Sequence, residues 1–239
     1  ELRIAGNFQL NGNGVFITGS NNSSIINGRL IFNGTGIQTF SAANLNNIAK
    51  VNFQVNSGST LQLLSDLQLL SSSTSNWGGQ FTVNSGAVLD AGTQRILSTT
   101  GSTAGSNNAF VLNAGGRINS ANTGGLQTDA SNGTISTAIA TRTFNSGADY
   151  EFTGAVTGTF TTSPTANTVR NLIVNNASGN VTLNQPISVT GNLQLTNGIL
   201  ISSMTNLLTI QDNATASAGN YSPARYVDGP IRKIGNDPF

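Results

Sequence analysis

The segment "ADYEF" (148–152) places two carboxylates two residues apart, the closest acidic pair in the chain. In a β-strand, Asp149 and Glu151 would share one face, and the aromatic residues beside them would share the other. Such a pair, with Arg142 nearby, has the residue types of a glycosidase acid and base. We favour a simpler interpretation, in which the carboxylates form a solvated strand face opposite an aromatic core face. The sequence therefore predicts a surface acidic pair rather than an active site.

The composition excludes most other catalytic and metal-binding chemistry. The chain has no Cys and no His, so it cannot form a disulfide, a thiolate or imidazole zinc site, or a serine–histidine triad. No Asp-x-Asp occurs, and the glycine-rich calcium repeat of β-rolls is absent from the sequence. We therefore predict a non-enzymatic protein that uses no cofactor and no metal.

Charge and hydropathy exclude two classes of partner. Ten basic and nine acidic residues give a formal net charge of +1, and no run of Lys and Arg is longer than two residues. Binding a row of phosphates needs clustered Lys and Arg, so no nucleic-acid partner is predicted. No apolar run reaches the length of a transmembrane helix, so no membrane insertion is predicted. Because the chain begins at Glu1 without a signal peptide, we expect it to be a segment of a longer protein.

A repeated phrase indicates the elements that position these residues. "FQVNSGSTL" (53–61) returns as "FTVNSGAVL" (81–89) and, more loosely, as "FVLNAGGRI" (110–118). Each phrase begins with alternating apolar residues, which is typical of a strand, and continues into Asn, Ser and Gly, which favour turns. Related phrases recur along the chain, and none has the periodicity of a helix.

The spacing of these phrases predicts the fold class. Their last apolar residues recur at intervals of 21 to 32 residues, which is too short for a four-stranded propeller blade. The aligned residues are Leu10, Phe32, Val55, Val83, Leu112, Phe144, Val174 and Leu195. We predict an all-β protein, a right-handed parallel β-helix (β-solenoid) of about eight or nine coils.

Stacked coils would align equivalent residues of each phrase about 4.8 Å apart. The three aligned sets are an aromatic core stack (Phe53, Phe81, Phe110), an asparagine ladder (Asn56, Asn84, Asn113) and turn glycines (Gly58, Gly86, Gly115). All three sets are predicted to be structural.

One solenoid segment is predicted over residues 1–239. Polar stretches between the phrases are predicted to be loops that bulge from the rod. One of them, at 157–168, marks a subdivision between longer coils (1–156) and shorter, more regular coils (169–239). The shorter coils close with the "YVDGP" motif at 226–230.

The second half of the chain carries the motifs of a known group of repeats. It contains "Y-x-F-x-G" at 150–154, "NL-x-V-N" at 171–175, "VTL" to "NLQLTNG" at 181–198 and "YVDGPIRKIG" at 226–235. Through these motifs, residues 142–239 resemble the repeat regions of very large cell-surface proteins of Bacteroidota.

The resemblance implies a location and a set of partners. Such proteins are exported by the type IX secretion system and act at the cell surface as adhesins, gliding-motility adhesins or structural filaments. Their repeats are scaffold, so no active site is carried over to this chain. The implied partners are neighbouring modules or subunits of the same surface assembly, the secretion machinery and surface glycans.

The sequence therefore predicts a rigid extracellular module of a bacterial surface protein, with a structural or adhesive role. Two alternatives stay open. The first is a carbohydrate-binding or polysaccharide-degrading β-helix, in which the acidic pair would serve. The second is an ice-binding solenoid, for which "TRTF" (141–144) and "TGTFTT" (157–162) supply Thr-x-Thr pairs that do not recur at the coil spacing.

Overall fold

The computed structural model describes residues 1–12, 16–17, 28–44, 48–49, 51–70, 78–98, 108–128, 133–155, 160, 167–217 and 222–236. The strands in this part of the chain pair in parallel, and it contains no α-helix, hence no helix that could span a membrane. They wind into a β-solenoid of about 7 turns, which confirms the predicted fold class. The right-handed sense and the predicted number of coils stay predictions.

The first of the two large sheets gains one strand per coil. Its six strands are β1 (Leu2–Ile4), β4 (Gly28–Phe32), β7 (Val51–Val55), β10 (Gln80–Val83), β13 (Ala109–Leu112) and β17 (Thr141–Phe144).

The second large sheet runs along the whole described length. In order it contains β2 (Phe8–Leu10), β5 (Gly36–Ala42), β8 (Ser59–Leu63), β11 (Val88–Asp90), β14 (Arg117–Ser120), β18 (Asp149–Phe152), β19 (Thr168–Thr182), β20 (Ile187–Ile201), β21 (Leu208–Ile210) and β24 (Ile231–Lys233). Two short strands, β22 (Thr215–Ser217) and β23 (Val227–Asp228), also pair with β20.

Two smaller sheets complete the coils. The four-stranded sheet consists of β15 (Gln127–Thr128), β16 (Ile135–Ser136), β12 (Ile96–Ser98) and β9 (Leu67–Leu69). The two-stranded sheet consists of β3 (Phe16–Ile17) and β6 (Ile48–Ala49).

The core is a narrow column of inward side chains between these sheets. The register places Phe53 beside Phe81 and Phe81 beside Phe110. Because side chains alternate along a strand, Val55 and Val83 form a second inward row, and the residues between the two rows face outward. All five side chains are buried. Removing these rows from water is what drives the coils to stack.

The predicted alignment of the last apolar residue of each phrase is wrong at Leu10, Val174 and Leu195. Leu10 belongs to β2 of the second sheet, and Ile4 is the residue beside Phe32. Val174 and Leu195 pair with each other, also in the second sheet. Each coil contributes a strand to more than one sheet, and strands in different sheets show the same apolar pattern before a turn. The pattern therefore identifies the coils but does not tell which sheet a strand belongs to.

The strands β19 and β20 are long because they bend around corners of the coil. Their pairing shifts register at three places between Val169 and Asn180, and such bulges bend a strand. The second sheet is continuous from β18 to β19, which pair with each other in parallel. Most of the 157–168 segment lies outside the described residues, and the subdivision there stays a prediction.

Candidate functional site

The asparagines that follow β7, β10 and β13 form a ladder across three coils. Asn84 Nδ2 donates to Asn56 Oδ1 at 2.9 Å, and Asn113 Nδ2 donates to Asn84 Oδ1 at 3.1 Å. Gln54 Nε2 also donates to Asn56 Oδ1, at 2.6 Å. Three successive coils are thus joined through their side chains at this corner.

Each ladder asparagine also opens a tight turn. Ser59 N donates to Asn56 O at 3.0 Å, and the next two turns close in the same way. The third residue of the turn is Gly58, Gly86 or Gly115, with φ of 82°, 73° and 78°. Such positive φ at this position defines a type II turn and favours glycine. Gly58 N donates to Gly86 O at 2.9 Å, so the turns are joined to one another as well.

The three phenylalanines of the same phrases stack inside the coils. The ring centroids of Phe53 and Phe81 are 6.0 Å apart, those of Phe81 and Phe110 are 6.1 Å apart, and the planes differ by 21° and 22°. The geometry changes at both ends of the stack, where Phe40 meets Phe53 edge-on and Phe144 is tilted against Phe110. Because the rings are buried, the stack stabilises the core and presents nothing to a ligand.

Asp149 lies on the outward face of β18, as its alternation with aromatic residues predicts. Arg170 Nε and Nη2 donate to its two carboxylate oxygens, both at 2.7 Å. Asn171 Nδ2 donates to Asp149 Oδ1 at 2.9 Å. The hydrogen bonds that Arg170 donates to Asp149 raise the pKa of Arg170 above its usual value. A bidentate contact of this kind orients a carboxylate and occupies both of its oxygens.

Glu151 shares that face, but it is not a solvated residue. It is only 7% exposed, which corrects the prediction of a solvated surface pair. Asn175 Nδ2 donates to Glu151 Oε1 at 3.0 Å, and Arg117 Nη1 lies 3.5 Å from Oε2. Arg117 belongs to the preceding strand and Asn175 to the following one, so the neighbouring coils cover this carboxylate.

Arg142 does not join the acidic pair. It lies in the first sheet, where its register partner is Phe110, whereas Asp149 and Glu151 lie in the second. Its guanidinium Nη1 donates to the backbone carbonyls of Thr137 and Ile139. The structure therefore does not assemble the proposed combination of two carboxylates and this arginine.

Between the two carboxylates, Tyr150 points into the core. Its hydroxyl donates to the Asn145 carbonyl oxygen at 2.7 Å, and the side chain is fully buried. Burial, and to a lesser degree the charge of Asp149, raises the pKa of Tyr150 above its usual value. The phenol is therefore a neutral structural group that does not titrate near neutral pH.

Sequence reasoning missed two further polar contacts that extend the acidic pair along the rod. Asn171 Oδ1 accepts from the backbone amide of Asn192 at 2.8 Å. Asn197 Nδ2 donates to Asn175 Oδ1 at 3.1 Å. The signal was present in the asparagines flanking "LIV" and in those of "GNLQLTN", but it becomes visible only when the register of β19 and β20 is known.

Two shallow concave surfaces lie beside β20. One is a shallow cavity of about 280 Å³ whose polar lining comes from Asn176, Asn180 and Asn197. A second, also of about 280 Å³, is lined by residues that include Gln194 and Arg225. Neither contains a carboxylate. In the described part of the chain, no three acidic side chains cluster as a metal site would require.

Comparison of the chain with family models, with curated proteins and with solved structures gives no match. What the site can do must therefore be argued from its geometry. A general acid or base has to exchange a proton with a substrate. Here both carboxylates contact an arginine and an asparagine of adjacent coils, an arrangement that holds coils together.

Proposed function

We propose that this chain is a non-enzymatic structural or adhesive module of a bacterial surface protein, acting as a rigid β-helical stalk. The observation that carries the proposal is the use of outward polar side chains for contacts between coils. The Asn56–Asn84–Asn113 ladder and the contacts of Asp149 and Glu151 all run along the rod. Such contacts resist shear between coils, which is the mechanical need of a stalk.

The low content of charged residues also suits an exposed scaffold. Only 8% of residues are charged, so few of the contacts between coils are ionic and open to screening by salt. The rod would place an adhesive tip or a neighbouring module at a distance from the cell, after export by the type IX route that the resemblance implies. Neighbouring modules of the same assembly are its proposed partners.

The surface location can be tested on the cells that produce the protein. Antibodies raised against the folded chain should label intact cells, and brief protease treatment of those cells should remove the label. Labelling that requires permeabilised cells would contradict the proposal.

The absence of catalysis can be tested on purified protein. We expect no release of reducing sugar from a panel of polysaccharides, either from the wild type or from the Asp149→Asn/Glu151→Gln variant. Turnover by the wild type that the variant abolishes would establish the polysaccharide-degrading alternative instead.

Glycan binding without turnover is the second candidate, and the amide-lined cavity beside β20 favours it. Asn180 is exposed there and could hydrogen-bond to sugar hydroxyls. Binding on a glycan array that Asn180→Ala weakens, while Asn11→Ala does not, would support this candidate. Asn11 is an exposed asparagine at the opposite end of the rod.

Ice binding has no comparable support. It requires threonines repeated at the coil spacing on one flat face. The outward row that contains Thr60 continues instead with Val88 and Arg117.

A further inference from the structure

A buried glutamine occupies the inward row of the second sheet. Gln38 lies in register with Leu61, and the following coils place Leu89, Ile118 and Tyr150 at the same position. These four side chains are fully buried, and Gln38 itself is only 1% exposed. Burying an amide in such a row is costly unless the amide makes hydrogen bonds there. Gln38 must therefore serve partners that an apolar side chain could not.

The amide of Gln38 joins the turn that follows β4 to the coil before it. Its Oε1 accepts from the backbone N–H of Gly34 at 2.9 Å. Its Nε2 donates to the carbonyl oxygens of Ile4 at 2.7 Å and of Gly6 at 2.8 Å. Because one partner is a donor and the other two are acceptors, the orientation of the amide is fixed. A side chain thus holds the N–H of Gly34 inside the rod.

The fold requires glycine at this position, directly after an exposed asparagine. A Cβ atom on residue 34 would overlap the backbone oxygen of Ala5 in the preceding coil. Asn33 N donates to Ile4 O at 3.0 Å as Asn56 N donates to Phe32 O at 2.9 Å, so Asn33 is the equivalent of the first ladder asparagine. The three ladder asparagines are followed by serine or alanine. Here the close approach of the coils imposes an Asn–Gly pair instead.

Asn–Gly pairs are chemically labile. The backbone nitrogen of the glycine gives up its proton to hydroxide and attacks Cγ of the asparagine, whose side-chain nitrogen leaves as ammonia. Water then opens the resulting succinimide at either carbonyl and gives aspartate or isoaspartate. Glycine favours the attack because it has no Cβ to obstruct the ring. Both products replace a neutral amide by a carboxylate, and isoaspartate also lengthens the main chain by a methylene group.

The contacts of Gly34 oppose the first step of this reaction. The attacking nitrogen would have to give up the proton that Gln38 Oε1 accepts, and then turn towards the side chain of Asn33. Gly34 is buried, which keeps hydroxide away from its N–H. Its carbonyl oxygen is held as well, since Ser59 Oγ donates to it at 2.8 Å. The nitrogen is therefore restrained even though the Asn33 side chain is exposed.

A second Asn–Gly pair shows the same combination. The side chain of Asn197 is exposed, and a Cβ atom on Gly198 would overlap the backbone oxygen of Asn176. The N–H of Gly198 donates to Ala224 O at 3.0 Å, a main-chain acceptor of the next coil. A coil contact again imposes the glycine, and a hydrogen bond again holds its N–H. At residue 34, a side chain supplies the acceptor.

We propose that Asn33 is a latent deamidation site and that Gln38 keeps it closed by holding the N–H of Gly34. This role explains why an amide is retained in an inward row that is otherwise filled by leucine, isoleucine and tyrosine. Conversion at Asn33 would add a carboxylate beside the preceding coil. The isoaspartate product would also lengthen the turn after β4, and the register between β4 and β1 would no longer match that of β5 and β2.

The test compares the rate of conversion at Asn33 between folded proteins at mildly alkaline pH, where the glycine N–H ionises more readily. Peptide mass spectrometry locates the converted residue, and labelling by an isoaspartate-specific methyltransferase identifies the product. Gln38→Leu introduces the residue of the next coil and removes the acceptor. We expect Asn33 to convert roughly fivefold faster than in the wild type, the factor that corresponds to one hydrogen bond. Equal rates in the two folded proteins would overturn the proposal.

Two controls separate the loss of this hydrogen bond from a general loosening of the rod. Ser59→Ala removes the contact to the carbonyl oxygen of Gly34 and leaves its N–H bound, so Asn33 should convert at the wild-type rate. Asn197 is an internal reference in every sample, because the N–H of its glycine is held by Ala224, and its rate should not change in Gln38→Leu. Equal acceleration at Asn33 and Asn197, or in Ser59→Ala and Gln38→Leu, would refute the proposal.

Gln38→Met covers the case in which Gln38→Leu does not fold. Methionine is unbranched like glutamine and lacks the amide, so Asn33 should again convert faster. If neither variant folds, Gln38 serves the stability of the coil, and the protective role is rejected. The wild type gives a further check: conversion at Asn33 that is as fast in the native protein as in protein unfolded by urea would show that nothing in the fold protects this site.

Discussion

At the scale of single residues, Asn84 uses both the N–H and the oxygen of its side-chain amide in the ladder. It donates to Asn56 and accepts from Asn113. We expect Asn84→Ala to lower the free energy of unfolding by on the order of 2 kcal/mol, because both partners lose a hydrogen bond in a half-buried corner. The measurement is urea denaturation followed by circular dichroism.

The control for this prediction is Asn11→Ala, which removes an exposed amide outside the ladder. Its effect should stay within about 0.5 kcal/mol, as is usual for surface substitutions. Equal midpoints for the two variants would show that the ladder contributes nothing to stability.

Tyr150 makes stability depend on pH at the alkaline end. Its pKa is raised in the folded protein by burial and by Asp149, so above about pH 10 only the unfolded chain releases the phenolic proton. The unfolded state then binds fewer protons than the folded state, and stability falls as pH rises, by up to about 1.4 kcal/mol per pH unit. Below about pH 10 both states keep the proton, and this contribution is constant.

The comparison that isolates this effect is Tyr150→Phe. The variant loses the hydrogen bond to Asn145 and should be less stable near neutral pH. Groups common to both proteins cancel in the difference, so the advantage of the wild type should shrink above about pH 10. A stability difference that is constant up to pH 11 would argue against a buried neutral phenol.

Alternation along one strand was enough to place Asp149 and Glu151 together on the outward face. It could not reveal that Glu151 is buried, because its covering residues come from other coils. Arg117 lies 34 positions earlier and Asn175 lies 24 positions later, and loop length varies between coils. Contacts across coils depend on register, which a single strand does not encode.

At the scale of the coil, the repeat should behave as a removable unit. Deleting residues 56–83 removes the 28 positions that separate equivalent ladder asparagines and joins Val55 to Asn84. In the intact protein, β7 pairs with β4 and β10, and β10 pairs with β13. After the deletion, which removes β10, β7 would pair with β4 on one side and with β13 on the other. We expect a cooperative, parallel-β protein with a lower Tm, since one layer of core is lost.

The matched control deletes residues 56–82, one residue fewer. It leaves Val83 between the strand and its tight turn, which forces a bulge or a one-residue slip that exchanges inward and outward side chains. Its Tm should be lower than that of the 28-residue deletion. If the two deletions melt alike, register does not limit this coil.

The repeated phrase made the coils between Phe53 and Phe110 predictable, because a strand, an asparagine and a glycine turn recur together there. The same reasoning failed at Leu10 and Val174, which lie in strands of the second sheet. A stacked solenoid needs the same apolar alternation on every face, so the pattern gives the period and the fold class. Face assignment needs the hydrogen-bonded register.

At the scale of the whole molecule, stacking predicts that stability varies along the rod. Among the described strands of the two large sheets, β1 and β2 of the first coil each pair with one strand, whereas strands of inner coils such as β7 and β8 pair on both sides. Leu2 of β1 is 45% exposed. In a quasi-one-dimensional array, the stability of each repeat depends on its neighbours, so in a protein made of residues 1–239 the coil that contains β1 and β2 should open before the inner coils.

Four equivalent amides report on this gradient. Each follows a strand of the first sheet and donates to a carbonyl of the preceding coil at 2.9 to 3.0 Å; they are Asn33, Asn56, Asn84 and Asn113. Because the donor–acceptor distances are nearly the same, differences in the protection factor, which corrects for the intrinsic exchange rate of each amide, report on position in the rod. We expect protection to be weakest at Asn33, whose acceptor Ile4 lies in the first coil, and to rise towards Asn84. Equal protection at all four would mean that the solenoid opens only as a whole, and coil-by-coil opening would be ruled out.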